Sequence, residues 1–90
     1  MIEVTAIRLE GGDAHEHITD VLWHSASSSG QTSRQALVDW LSESRENQAI
    51  VAGEGEHVPI LVIAPFEKEP YFRTHADGMW TNHLLGLPRF

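Results

Sequence analysis

Two histidines one residue apart are the first candidates for chemistry in this 90-residue chain. On an extended strand, His15-x-His17 places two imidazoles on one face, about 6.5–7 Å apart by strand rise, close enough to chelate a divalent cation. Glu16, Asp13 or His24 could assist. On a regular strand, however, Glu16 and His24 point to the opposite face, and no third ligand stands at a recognised spacing. A structural zinc takes four ligands. A metal at His15, His17 and His24 is therefore the weaker reading. The stronger one makes them polar hairpin positions whose ring nitrogens bond backbone or water.

Arg73, Thr74, Asp77 and Asn82 form the second cluster. Period two puts Tyr71, Arg73 and His75 on one sheet face, and Phe72 and Thr74 on the other. Arg73 beside Asp77 could present its guanidinium to a carboxylate or phosphate. Local structure accounts for the same residues: Asp77 would accept N–H groups of its own turn, Arg73 would pair with it, and Asn82 would cap the tail. The structural role is preferred, because each residue type suits its position.

Catalytic signals are weaker. Ser27-Ser28-Ser29 has no glycine-flanked nucleophile elbow. The carboxylate pairs Glu54/Glu56 and Glu67/Glu69 sit in apparent turns, where water keeps their titration ordinary. No phosphate loop or dinucleotide fingerprint is present. A filled core of this size leaves little volume for a pocket of about 300 Å³ or more. An enzyme is not expected, and no cofactor is implied. Trp40 belongs to the core and Trp23 to the core or a sheet surface. Trp80, after Asp77-Gly78-Met79, is either an exposed aromatic anchor for a partner or a cover over the apolar tail.

The elements that must hold these side chains follow from periodicity. Ile2 to Leu9 alternates loosely and reads as a strand with both faces partly covered. Gly11-Gly12-Asp13 ends it, and Glu16 to Ser25 forms the second strand of a β-hairpin. Ser25 to Gly30 reads as a loop. Thr32 with Gln35 forms a capping box for a helix from Ser33 to about Ser44, with Ala36, Leu37, Trp40 and Leu41 on its buried stripe. Ala49 to Ala52 is a short strand closed by Gly53-Glu54-Gly55. Ile60 to Ala64 reads as a central strand whose limits are Pro59 and Pro65. Tyr71 to His75 pairs with it in a second hairpin. The expected class is α+β: a small antiparallel sheet in the order β-β-α-β-β packed on one helix. An ordered tail should carry Leu84, Leu85 and Leu87 back to the core, with Thr81 or Asn82 as its cap.

Composition sets the outer bounds. Hydrophobic residues make up 41% of the chain and charged residues 21%, as in a globular domain. Surface scaling leaves about 5,300 Å² exposed from roughly 14,600 Å² in the extended chain, enough burial for one modest core spanning residues 1–90. Without cysteine, disulfides, thiolate chemistry and cysteine zinc sites are excluded. No apolar run reaches the ~20 residues of a membrane span, and the start lacks a signal-peptide pattern, so a cytoplasmic address is expected. Six Lys and Arg stand against thirteen Asp and Glu, for a net charge of −7. The basic residues Arg8, Arg34, Arg45, Lys68, Arg73 and Arg89 are dispersed, whereas a duplex or anionic membrane needs them clustered. Direct binding to either is not expected.

Tyr71-Phe72-Arg73-Thr74, Ala76-Asp77-Gly78, Asn82 with Leu84-Leu85, and Leu87-Pro88 together resemble the ending of a small bacterial and phage family, domain of unknown function 3892. The front end is similar in Ile7-Arg8, Gly11-Gly12 and His15-Glu16-His17-Ile18-Thr19, with Trp23 behind them. The serine-rich loop and longer helix in the middle depart from the family pattern. The resemblance implies a self-contained domain and supplies no substrate.

Three functions are compatible with these residues. The first is a non-catalytic interaction module that binds a protein, including another copy of itself, through an edge strand or the Met79-Trp80 loop. The second is an acidic decoy occupying the DNA-binding surface of another protein, which would need rows among Glu10, Asp13, Glu16, Asp20, Glu43, Glu54 and Glu56. The third is a histidine-based metal site. The first is expected, with Arg73, Asp77, Met79, Trp80 and Asn82 as interaction candidates.

Overall fold

The computed structural model describes every residue except Glu54 and Gly55. Its strands are β1 (Ile2–Leu9), β2 (Ile18–His24), β3 (Ser29–Ser33), β4 (Ala49–Gly53), β5 (Glu56–Ile63), β6 (Tyr71–Ala76) and β7 (Met79–Thr81). One α-helix, α1 (Arg34–Glu43), follows β3, and 3₁₀ turns cover His15–His17 and Leu84–Gly86. The strands form one sheet in the order β3-β2-β1-β4-β5-β6-β7. The class is α+β, but the sheet is larger than expected and it is mixed. β1 and β4 run parallel, with Ile2 opposite Ala49 and Glu3 opposite Ile50; the other pairs are antiparallel. The expected Gly53-Glu54-Gly55 turn and Glu54/Glu56 pair fall in part outside the described residues, with Gly53 ending β4 and Glu56 beginning β5.

The loose alternation in β1 has a structural cause. Its register against β2 shifts between Val4 and Ala6, so that Val4 and Ile7, three positions apart, both enter the core. A second shift between Arg8 and Leu9 does the same for Ile18 and Val21 on β2. Bulges of this kind add a residue and re-aim the side chains beyond them. On the other half of the sheet, Ile60 and Phe72 complete the buried face, with Leu37 and Val38 of α1 packed over the whole.

Ser33 caps α1, where Thr32 was expected. Its hydroxyl accepts the Ala36 N–H at 3.1 Å, while Gln35 bonds Asp39 at 2.9 Å instead of closing a capping box. Thr32 is committed to β3, opposite Val21. Pro59 likewise lies inside β5. It faces Ile50 of β4, and pairing with β6 begins at the next residue, Ile60. β5 changes neighbour there, which is a place where a missing N–H is tolerated.

The tail is docked. Leu84 is fully buried. The Ile7 N–H donates to the Pro88 carbonyl at 2.9 Å, and the Phe90 N–H donates to the Ile7 carbonyl at 3.1 Å. Residues 88–90 thus lie beside β1 as a parallel bridge at Arg89. Arg8 stacks on the Phe90 ring at 4.5 Å.

Candidate functional site

The β6–β7 hairpin brings together most of the polar residues singled out in the sequence. Its loop is Asp77-Gly78, with φ of +53° and +78°, the paired positive values of a type I′ turn. That turn fixes the register: Ala76 faces Met79, His75 faces Trp80, and Thr74 faces Thr81. The Trp80 ring meets His75 edge-on, 4.9 Å between centroids. Trp80 nevertheless stays 45% exposed and Met79 68%.

Beneath that tip runs a continuous chain of hydrogen bonds. The Thr81 hydroxyl donates to Thr74 Oγ1 at 2.7 Å, and the Thr74 hydroxyl donates to the Thr81 carbonyl at 3.2 Å. His83 Nδ1 lies 2.7 Å from Thr81 Oγ1. Arg73 completes the set. Its Nη2 donates to Asn82 Oδ1 at 2.9 Å, and Nε and Nη2 reach the Thr81 carbonyl at 3.4 Å. The expected Arg73–Asp77 pairing is not formed: Asp77 is exposed at the turn, and the guanidinium is turned to Asn82 and Thr81. Asn82 is engaged by Arg73, and the last 3₁₀ turn has His83 at its start with no side-chain cap.

The three histidines are not assembled. His15 and His17 lie on a 3₁₀ turn, not the expected strand. The His17 Nδ1 accepts the Ala14 N–H at 3.2 Å, and its ring packs against Gly12, where a Cβ would come within 2.6 Å of Nδ1 and Nε2. His24 ends β2, roughly 20 Å of strand from Ile18, with Nε2 3.6 Å from Glu3. Among the described residues no three potential ligands come together for a metal ion. His15 is 8% exposed and its buried Nε2 has no partner. Burial lowers its pKa below the usual 6.5, the Arg73 charge lowers it further, and Glu16 opposes both.

Clefts of about 400, 340 and 330 Å³ indent the surface, more than a filled core suggested. One holds Glu16, Arg34, Lys68, Glu69 and Tyr71. Arg34 is already committed there, donating to Glu69 Oε2 at 2.8 Å and to the Glu16 carbonyl. Thr81 was expected only as a candidate cap of the tail, not as a link in this chain, and His83 was not singled out. The Asp-Gly dipeptide was the available signal, since a two-residue loop there pairs Thr74 with Thr81 directly.

The family described as protein of unknown function (DUF3892) matches residues 3–88. The chain belongs to this family. The DUF3892 span takes in the hairpin, its hydrogen-bond chain and nearly all of the docked tail. No curated protein and no solved structure matches the chain. No helix among the described residues is long and apolar enough to cross a membrane.

Proposed function

We propose that this DUF3892 chain is a non-catalytic protein-interaction module that docks through the tip of the β6–β7 hairpin. The observation that carries the reading is the exposure of Met79 and Trp80 on an edge strand that the protein holds firmly. A type I′ turn, the His75 contact and the Thr74–Thr81–His83 chain fix the backbone beneath them, so little freedom is lost on binding. Tryptophan on a rigid, exposed edge is the residue type that most often dominates an interface. The polar groups under the tip support a binding role over catalysis. Arg73, Thr74 and Thr81 spend their donors on one another and on Asn82, leaving no activated nucleophile. The decoy alternative has less support. Glu16, Asp20 and Glu43 lie on a 3₁₀ turn, on β2 and at the end of α1, and Asp20 is already bonded to Gln31 at 3.3 Å.

Light scattering after size exclusion tests self-association directly, with wild type and Trp80→Ala compared at rising concentration. For a different partner, affinity capture from the native host identifies the protein, and calorimetry on the purified pair measures binding. Trp80→Ala should weaken either association at least thirty-fold, about 2 kcal/mol. Undiminished affinity in that variant, or a partner displaced by duplex DNA, overturns the reading.

A further inference from the structure

A cleft of about 330 Å³ opens between α1 and the adjoining half of the sheet, lined by Ile2, Trp23, Thr32, Ala36, Leu37 and Trp40. Its size falls at the lower end of the ~300–1,000 Å³ typical of small-molecule sites. Leu37 is buried at its base, Trp23 and Trp40 are half-buried, and Ala36 is exposed at the rim. Trp23 is seated by the residue opposite it in register, Gly30. A Cβ there would stand 3.3 Å from the indole Cζ2, so the missing side chain lets β3 lie directly against the ring.

Among the described residues no charged side chain lines the cleft. Its one hydroxyl is that of Thr32, which makes no hydrogen bond to another described residue; the indole N–H groups of Trp23 and Trp40 are the other side-chain donors among the lining residues. Two indole side chains with an aliphatic base favour a planar apolar guest. The missing counter-charge selects against an ionised one, whose lost hydration nothing there would replace. The free hydroxyl can give or take one hydrogen bond.

From this we infer that the Trp23–Trp40 cleft binds a small neutral aromatic molecule of one or two rings carrying a single hydrogen-bonding group. The site is separate from the β6–β7 hairpin and stands or falls independently of the proposed docking role.

The test uses N-phenyl-1-naphthylamine, a neutral probe whose emission rises and shifts to the blue in apolar surroundings. Titrated into the full chain, it should saturate at one molecule per chain. At pH 7.5, neutral 2-naphthol should displace it and anionic 2-naphthoate should not. Ala36→Phe fills the cleft from the rim and should weaken probe binding at least tenfold, with an unchanged far-ultraviolet circular dichroism spectrum. Trp80→Ala should bind the probe as wild type does. Thr32→Val keeps the shape of the side chain; it should retain the probe while weakening displacement by 2-naphthol severalfold. Uptake that never saturates, equal binding by a folded Ala36→Phe, equal displacement by naphthoate, or an unaltered naphthol response in Thr32→Val each overturns the inference.

Discussion

Burial leaves the His15 ring little room for charge, and the Arg73 guanidinium nearby makes a second positive charge less welcome still. Its folded pKa therefore lies below the unfolded value of 6.5. Well above pH 6.5 the ring is neutral in both states and contributes no pH dependence. As pH falls through 6.5 the unfolded chain takes up a proton that the folded chain refuses, so stability drops until the lowered folded value is reached. The thermal midpoint should thus fall between pH 8 and pH 6, a range above the sequence pI near 5.2. His15→Leu, which removes the unpartnered Nε2, should flatten that slope; an equally steep slope in the variant would assign it to other groups. Gly12 is tested more simply. A side chain there displaces the His17 ring and its bond to the Ala14 N–H, so Gly12→Ala should cost about 1 kcal/mol in a urea titration. Neither effect was legible from spacing. The pair reads as strand residues sharing a face, and only the 3₁₀ turn separates a buried His15 from a His17 folded back on its own loop.

The β6–β7 hairpin depends on a turn that glycine makes easily. At φ +78° a Cβ on Gly78 strains the backbone by roughly 1–2 kcal/mol, although nothing stands within 4 Å of it. Gly78→Ala should lower stability by that amount in denaturant melts, whereas Asp77→Asn should be nearly neutral because asparagine accepts the left-handed region. A strain-free Gly78→Ala would mean that the turn differs from type I′. At the other end of the sheet, Ser33→Ala removes the α1 cap and should cost about 0.5–2 kcal/mol. The helix was readable from the helical spacing of its apolar stripe, and the two hairpins and the short β4 from apolar or loosely alternating runs bounded by glycine or proline. β3 was not, since Ser29-Gly30-Gln31-Thr32-Ser33 has no apolar member to alternate; its pairing with β2 is dictated by the neighbour. β7 is only three residues long, too short for a pattern. Pro59 misled because a proline inside a strand is tolerated where the strand changes partners, and sequence does not announce that point. At the candidate site, Arg73, Trp80 and Asn82 stood out by type. Thr81 and His83 acquire their roles only through the hairpin register.

The parallel pairing of β1 with β4, and of β1 with the tail, ties the two ends of the chain into one core. Leu84 anchors the return from β7, and it is fully buried. Leu84→Ala should cost about 2–5 kcal/mol, a large share of the 5–15 kcal/mol that holds a domain of this kind. The thermal midpoint should drop by roughly 10 °C or more; a drop of only a degree or two would mean that the tail contributes little to the core. Arg34 acts over a similar reach, linking α1 to Glu69 before β6 and to the Glu16 carbonyl before β2. β1 has a further vulnerability built into its neighbours. On the side away from β2, β4 protects only Ile2 and Glu3, and Pro88 to Phe90 shield the stretch around Ile7. Clipping those last residues would leave Ile2-Glu3-Val4-Thr5-Ala6-Ile7-Arg8-Leu9, rich in β-branched side chains, with an open ladder at Ile7. Such a bare edge is a template for stacking one chain on the next. A chain truncated after Leu87 should therefore bind thioflavin T where the 90-residue chain does not.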